Sequence, residues 1–253
     1  MNNIWSYIKT RITIFSLCIT LLALVIYCFT ASIDFTPFYL TFKLAIYTTV
    51  LLLLIGIPIG YFLAFSKWRG KVLLESILSL PIILPPTVLG YYFITVMGPN
   101  SSIGRFFEDT LGLQLIFSFE GILLGSMIYC LPFMINPITN GFRSLPKSMI
   151  ESTQLLGKSK LNALWHVLLP NTSGSILGAI LLTFAHTIGE FGVVLMIGGN
   201  LPETKVASIA IYDEMNQLNY VTADTYAVIL LGFSFVLIFA INLMNRSNRA
   251  YLA

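Results

Sequence analysis

The sequence predicts an all-α integral membrane protein with six transmembrane helices, and three observations predict it. Only 10% of the 253 residues are charged, where a soluble domain carries about 25%. Mean hydropathy is +0.85. Six stretches reach the roughly 20 residues needed to cross about 30 Å of hydrocarbon. So few charges cannot cover a water-exposed surface, which excludes an ordinary cytosolic enzyme and a disordered chain.

Residues 12–31, 44–65, 76–97, 121–142 and 225–245 contain no Asp, Glu, Lys or Arg, and 173–198 contains Glu190 alone. The first stretch can also be read as a cleaved signal peptide, from its basic start, apolar core and the small residues Thr30, Ala31 and Ser32. Cleavage would leave five spans and the same orientation downstream. Lys9 and Arg11 precede the first span, and Lys67, Arg69 and Lys71 follow the second. Arg143, Lys147, Lys158 and Lys160 follow the fourth, and Arg246 and Arg249 the last. All fall on one side of a six-span chain, which the positive-inside rule makes the cytoplasm, with both termini there. The other side collects Asp34, Glu108, Asp109, Glu120, Glu203, Asp213, Glu214 and Asp224, with Arg105 and Lys205.

The net charge of +3 is too small and dispersed for a nucleic-acid partner. Cys18, Cys28 and Cys130 lie inside apolar runs, without disulfide or zinc spacing, and read as buried hydrophobes. The two histidines, His166 and His186, provide poorly for metal chemistry. His166, within a loop helix, reads as an amphipathic packing residue.

The third span contains Pro81, Pro85 and Pro86, which remove three amide donors within six positions. In lipid this is tolerated where neighbouring protein or a water-lined cavity satisfies the freed carbonyls. Pro132 and Pro137 in the fourth span, and Gly56, Pro58 and Gly60 in the second, repeat the theme more weakly. Glu190 must face a partner or water, because an acid at the bilayer centre costs about 2.5–3.5 kcal/mol. At 1.5 Å per residue it would lie about 26 Å along a helix starting at Ser173, near the outer surface. His186 would then share its face and could hydrogen-bond to it, as a structural pair or as part of a pathway or gate. With no Lys or Arg deep in a span, an anionic cargo would meet hydroxyls such as Thr87 or backbone amides at broken-helix N-termini.

Between the fourth and fifth spans, residues 143–172 are too polar for lipid yet regularly apolar. Met149, Leu155 and Leu156 precede Gly157, and Leu161, Leu164, Trp165 and Leu168 follow at helical spacing. This reads as helix, glycine turn, helix, stopped by Pro170. Spacing alone also suits a helix lying on the bilayer.

Glu151, then Gly157 six positions on, then Val167-Leu168-Leu169-Pro170 after nine more residues, resembles the EAA loop of ABC-importer permeases. Ser152 and Thr153 stand for its two alanines. Leu80-Pro81 and Leu84-Pro85-Pro86-Thr87-Val88-Leu89-Gly90-Tyr91 resemble the third-span signature of molybdate permeases. So do Phe184-Ala185-His186-Thr187-Ile188-Gly189-Glu190-Phe191-Gly192 and Gly199-Asn200-Leu201-Pro202. In that family the position of His186 is often Arg, so a titratable group here replaces a fixed charge.

The resemblance implies a type I ABC-importer-like fold. An extra N-terminal helix (1–37) would precede a five-helix permease core (38–245), and a short tail (246–253) would follow. It implies an ATPase-coupling loop of Glu151, Ser152, Thr153, Gly157, Leu161, Leu164, Trp165, Leu169 and Pro170. It also implies a translocation path or gate of Pro85, Pro86, Thr87, Gly90, His186, Glu190, Phe191, Gly192 and Asn200. The implied partners are a second copy, two cytoplasmic ATPase subunits, an external oxyanion-binding protein and the inner-membrane bilayer. No Gly-x-x-x-x-Gly-Lys-Ser/Thr occurs, so the chain would be a non-catalytic subunit without a cofactor of its own, with ATP and magnesium on the partner. The competing readings are a sulfate- or tungstate-specific permease and a proton-coupled secondary transporter using His186 and Glu190.

Overall fold

The computed structural model describes residues 33–146, 148–149 and 159–250. The first span at 12–31, with Cys18 and Cys28, therefore lies outside the described residues, as do Glu151, Ser152, Thr153 and Gly157 of the coupling loop. The described residues form helices joined by short turns. They divide into a larger unit over 38–209 and a smaller one drawn from the two ends of the sequence.

The larger unit is built on two long helices, α1 (Thr36–Phe65) and α5 (Phe119–Arg143). Both are apolar and long enough to span a membrane. They run parallel and close together. A Cβ on Gly56 would stand 2.8 Å from Met134 Cγ, and one on Gly60 2.7 Å from Ile138 Cγ2, a constant offset of 78 residues. Small residues give this approach, since lipid supplies no hydrophobic force between helices and packing must. Ser118 caps α5, its Oγ accepting from the Gly121 amide at 3.1 Å. At the other end of the helix Arg143 bonds the Leu63 carbonyl at 3.2 Å and pairs with Glu75, tying α1 and α5 to the start of α2 (Lys71–Ile83).

The expected third span is not one helix. α2 ends at Ile83, α3 (Pro86–Met97) starts three residues later, and their axes differ by 113°. A residue before proline avoids the helical region, and this happens twice in succession. Leu84 sits at ψ 134° and Pro85 at ψ 137°. Pro81, by contrast, is accommodated inside α2. α3 leads into the short amphipathic α4 (Ser102–Leu111), capped by Ser101 and ended by Gly112 in the left-handed region at φ 63°.

The loop before the fifth span also departs from expectation. The helix ends one residue beyond Pro170, at Asn171, but it widens ahead of the proline. α6 runs through Lys160–Ala163, a π-helical turn Leu164–Leu168, and Leu169–Asn171. A proline ring would clash with the carbonyl four residues back, here that of His166, and the wider turn relieves this. The Leu169 amide bonds the Leu164 carbonyl across five residues. Asn171 Nδ2 and Thr172 Oγ1 donate to the Val167 and Leu168 carbonyls at 2.7 and 2.8 Å.

α7 (Ser173–Ile188) then leaves at 75° and packs antiparallel to α5. A Cβ on Gly141 would lie 2.5 Å from Ser175 Cβ, and Cys130 Sγ lies 3.4 Å from Thr187 Oγ1. The continuous helix expected over 173–198 is broken at 189–191, after which α8 (Gly192–Gly198) resumes. One core gathers Leu89, Phe93, Ile122, Val193, Val194 and Ile197 between α3, α5 and α8. Another gathers Leu52, Cys130, Met134, Ile138, Phe142 and Leu168 between α1, α5, α6 and α7. Cys130 is fully buried there, as an apolar-run cysteine should be.

α9 (Ala207–Asn216) begins in the larger unit, where the Ala207 amide donates to Thr41 Oγ1 at 2.8 Å. The smaller unit contains α10 (Tyr220–Ala250), whose segment Tyr220–Phe239 is a third helix of spanning length. With each bent pair counted as one crossing, the described residues supply up to five.

The tight seams make a stability prediction. Gly121→Ala would set its Cβ 1.5 Å from the Leu115 carbonyl oxygen, a backbone clash that nothing nearby can relieve. Gly125→Ala crowds the tip of Ile197, at 2.2 Å, and touches Val193 Cγ1 at 3.4 Å, and should cost about 1–3 kcal/mol. Monodisperse yield in detergent should collapse for the first variant, while the second should survive with a lowered unfolding temperature.

Candidate functional site

The two broken helices meet around a cavity of about 500 Å³. Pro86 and Thr87 supply one wall from the N-terminus of α3, and Tyr129 another from α5. Ala185 and His186 come from the last turn of α7, Gly189, Glu190 and Phe191 from the break, and Gly192 from the start of α8. The neck is narrow where α3 meets α8. A Cβ on Gly192 would stand 2.7 Å from Pro86 Cβ, and one on Gly90 2.5 Å from Met196 Cβ.

His186 is held by its ring. It stacks on Phe133 at 4.0 Å between centroids and tilts against Tyr129 at 5.1 Å, with Nε2 buried and without a hydrogen-bond partner. The hydrogen bond to Glu190 anticipated from the i, i+4 spacing is not made, because α7 ends at Ile188 and helical register stops short of Glu190.

Glu190 contributes to the cavity wall, yet its carboxyl is turned into the bundle. The residue is 4% exposed, and both carboxyl oxygens are buried without a partner. The main chain around it is fixed. Its amide donates to the Thr187 carbonyl at 3.2 Å, and its carbonyl accepts from Ser208 Oγ at 2.7 Å. Thr87 is exposed on the cavity side of α3, at a helix start where Pro86 has no amide and the Val88 amide already donates to the Pro85 carbonyl at 2.9 Å.

Of the expected path residues, Pro86, Thr87, His186, Glu190, Phe191 and Gly192 line the cavity together. Pro85 caps α3, and Gly90 is buried in the seam with α8. Asn200 is exposed in the turn after α8 and does not line the cavity. Tyr129 and Phe133 were not expected, although aromatics one turn apart and adjoining Cys130 and Pro132 in the fourth span are visible in the sequence. Lys43 likewise carries no signal in the sequence. α1 begins earlier than the expected span, so Lys43 lies within the helix, its Nζ 4.1 Å over the Phe119 ring.

Among the described coupling-loop residues, Leu161 and Trp165 are 65% and 60% exposed, and Pro170 is also exposed. Leu164 and Leu169 pack onto the core containing Phe142 and Leu168. His166 does not pack as expected. It is exposed, with Nδ1 3.1 Å from the Asn162 carbonyl oxygen.

The model of the binding-protein-dependent transport system inner membrane component matches residues 56–249. The chain belongs to that family. It is similar to the molybdenum transport system permease protein ModB of Azotobacter vinelandii, 40% identical over 210 residues, which are 82% of this chain and 92% of that one. It is also similar to the sulfate transport system permease protein CysT of Synechococcus elongatus, 32% identical over 87% of this chain and 80% of that one. Among solved structures, an inward-facing form of the MetNI methionine ABC transporter matches with a TM-score of 0.65. It covers 83% of this chain and 94% of that chain at 16% identity. The resemblance to ABC-importer permeases and the all-helical type I importer fold therefore hold, and this permease is a multi-pass membrane protein.

Exposure along the site gives a labelling prediction. In a background without native cysteines, Thr87→Cys should react with a water-soluble thiol reagent about tenfold or more faster than Thr183→Cys, which is fully buried. Equal rates measured by mass shift would mean that the cavity is closed to water.

Proposed function

We propose that this permease is the membrane subunit of an ATP-driven importer whose cargo is a tetrahedral oxyanion, molybdate. The observation that carries the reading is the 40% identity to the molybdenum permease across nearly its whole length. The cavity geometry supports it. A dianion entering between α3 and the α7–α8 break meets the positive end of the α3 dipole, the Thr87 hydroxyl and the His186 ring. No lysine or arginine lines the cavity. The anion is therefore held weakly, which suits passage rather than storage.

In this reading two copies pair about a two-fold axis, with the path between them. An external binding protein delivers the anion to the outer mouth. Two cytoplasmic ATPase subunits hold ATP and magnesium, and the permease itself catalyses nothing. The basic residues around Lys67, Arg69, Lys71 and Arg143 mark the cytoplasmic end of the larger unit, with both termini on that side of the inner membrane. The ATPases close on ATP and push on the loop from Glu151 through Trp165 to Pro170. α6 and α7 carry that motion to the break at 189–191, opening one mouth as the other shuts.

Vesicles holding this permease with its co-expressed ATPase and binding protein should take up molybdate only with internal ATP, blocked by tungstate and resistant to excess sulfate. Competition by sulfate would move the cargo to sulfate, in line with the CysT similarity. Uptake driven by a proton gradient without ATP would overturn the reading. Gly157→Asp should reduce co-purification of the ATPase and uptake together while membrane insertion stays normal. Normal values of both would remove the docking role.

A further inference from the structure

Three oxygen-bearing side chains inside the larger unit are fully or almost fully buried, and none has a hydrogen-bond partner. They are Thr48 on α1 at 0% exposure, Ser126 on α5 at 0%, and Glu190 in the break at 4%. The packing registers bring them to one level. The parallel offset of 78 residues between α1 and α5, read from Gly56 with Met134 and Gly60 with Ile138, sets Thr48 opposite Ser126. Ser126 lies one turn before Cys130 on α5, and Cys130 meets Thr187 just ahead of the break, so Ser126 faces the break that carries Glu190. Consistently, the Ser126 hydroxyl lies beside the Glu190 carboxyl, although no hydrogen bond of good geometry joins them.

Four polar atoms without partners at one buried level are costly as they stand. The group that can satisfy them must both donate and accept, be small, and tolerate a carboxyl. An oxyanion fails, because it brings only acceptors to the carboxyl oxygens and finds no basic side chain. Water meets every condition, typically making about three hydrogen bonds to such groups.

We propose that Thr48, Ser126 and Glu190 form a buried water site that holds the Glu190 carboxyl inside the cavity wall and out of the anion's path. Thr48 and Ser126 are positioning residues. They act through the bound water on a side chain whose charge would otherwise turn toward the cavity its own backbone lines. The gate thus keeps an acidic residue at an anion pore by storing its side chain behind the wall. This rests on the oxyanion-importer reading for the consequence of that storage.

The test is a double-mutant comparison in the reconstituted transporter, reading molybdate and sulfate uptake with ATPase rate alongside. Ser126→Ala and Thr48→Val should each lower uptake about tenfold, the scale of one lost hydrogen bond to a charged group, with folded yield retained. Glu190→Gln added to Ser126→Ala should recover most of that loss, since the freed side chain no longer repels the anion. A merely structural role for Ser126 would not give this rescue. Uptake by Ser126→Ala equal to wild type, or a double variant as poor as Ser126→Ala, would overturn the proposal. A wild-type transporter that moves neither oxyanion would instead overturn the cargo reading. Should Ser126→Ala fail to fold, Ser126→Cys combined with Glu190→Gln carries the same comparison. A density map with ordered solvent that leaves this level dry would also overturn the site.

Discussion

Everything around the cavity depends on one contact between two interrupted helices, Pro86 of α3 against Gly192 of α8. Both helices restart at this point, α3 because two prolines forbid helical geometry before it, and α8 after the three-residue break. The absent side chain at Gly192 lets the proline ring fit. Two discontinuities that would each be a liability in lipid thereby cover one another. Irregular backbone at membrane depth is tolerated where it is buried in protein or lines a cavity.

This arrangement explains why chemistry-bearing residues gather in so small a volume. Thr87 is delivered by a helix start, His186 by a helix end, and Glu190 and Phe191 by the link between two segments. None is mid-helix, so each position can shift by rotating a few backbone dihedrals, without unwinding a whole span. α1 and α5 behave in the opposite way. Their close, parallel packing gives a rigid rear wall, with Ser118 and Arg143 fixing its two ends.

Much of this was legible in the sequence, for reasons that can be stated. Charge depletion and apolar length found the spans, and the proline cluster marked α3's start. The EAA-like spacing and the span signatures pointed to the family. The same resemblance nominated most of the cavity's lining. What escaped was whatever depended on three-dimensional termination. Gly189 and Phe191 carry no strong breaker signal, so the sequence reads as one helix through Glu190, and the His186 pairing follows from that. The π-turn ahead of Pro170 escaped because sequence cannot show whether a helix will widen before a proline. Tyr129 and Phe133 were hidden among the 19 phenylalanines and 12 tyrosines of the chain, since nothing local distinguishes an aromatic that clamps a histidine from one that faces lipid. Lys43 escaped because it borders an apolar run.

The π-turn at Leu164–Leu168 has a further consequence for phase. A single residue advances an α-helix by about 100°, so one additional residue accommodated in a turn rotates everything beyond it relative to everything before. The exposed Leu161 and Trp165 stand at or before that turn, and the buried Ala179, Thr183 and Thr187 come after it. The turn, with the 75° bend that follows it, therefore sets the angular relation between the exposed surface of α6 and the face that α7 offers to α5. Homologous chains that differ by one residue in this segment would present the same side chains in a different direction, and alignments across it should be drawn with a gap at the π-turn, not within either helix.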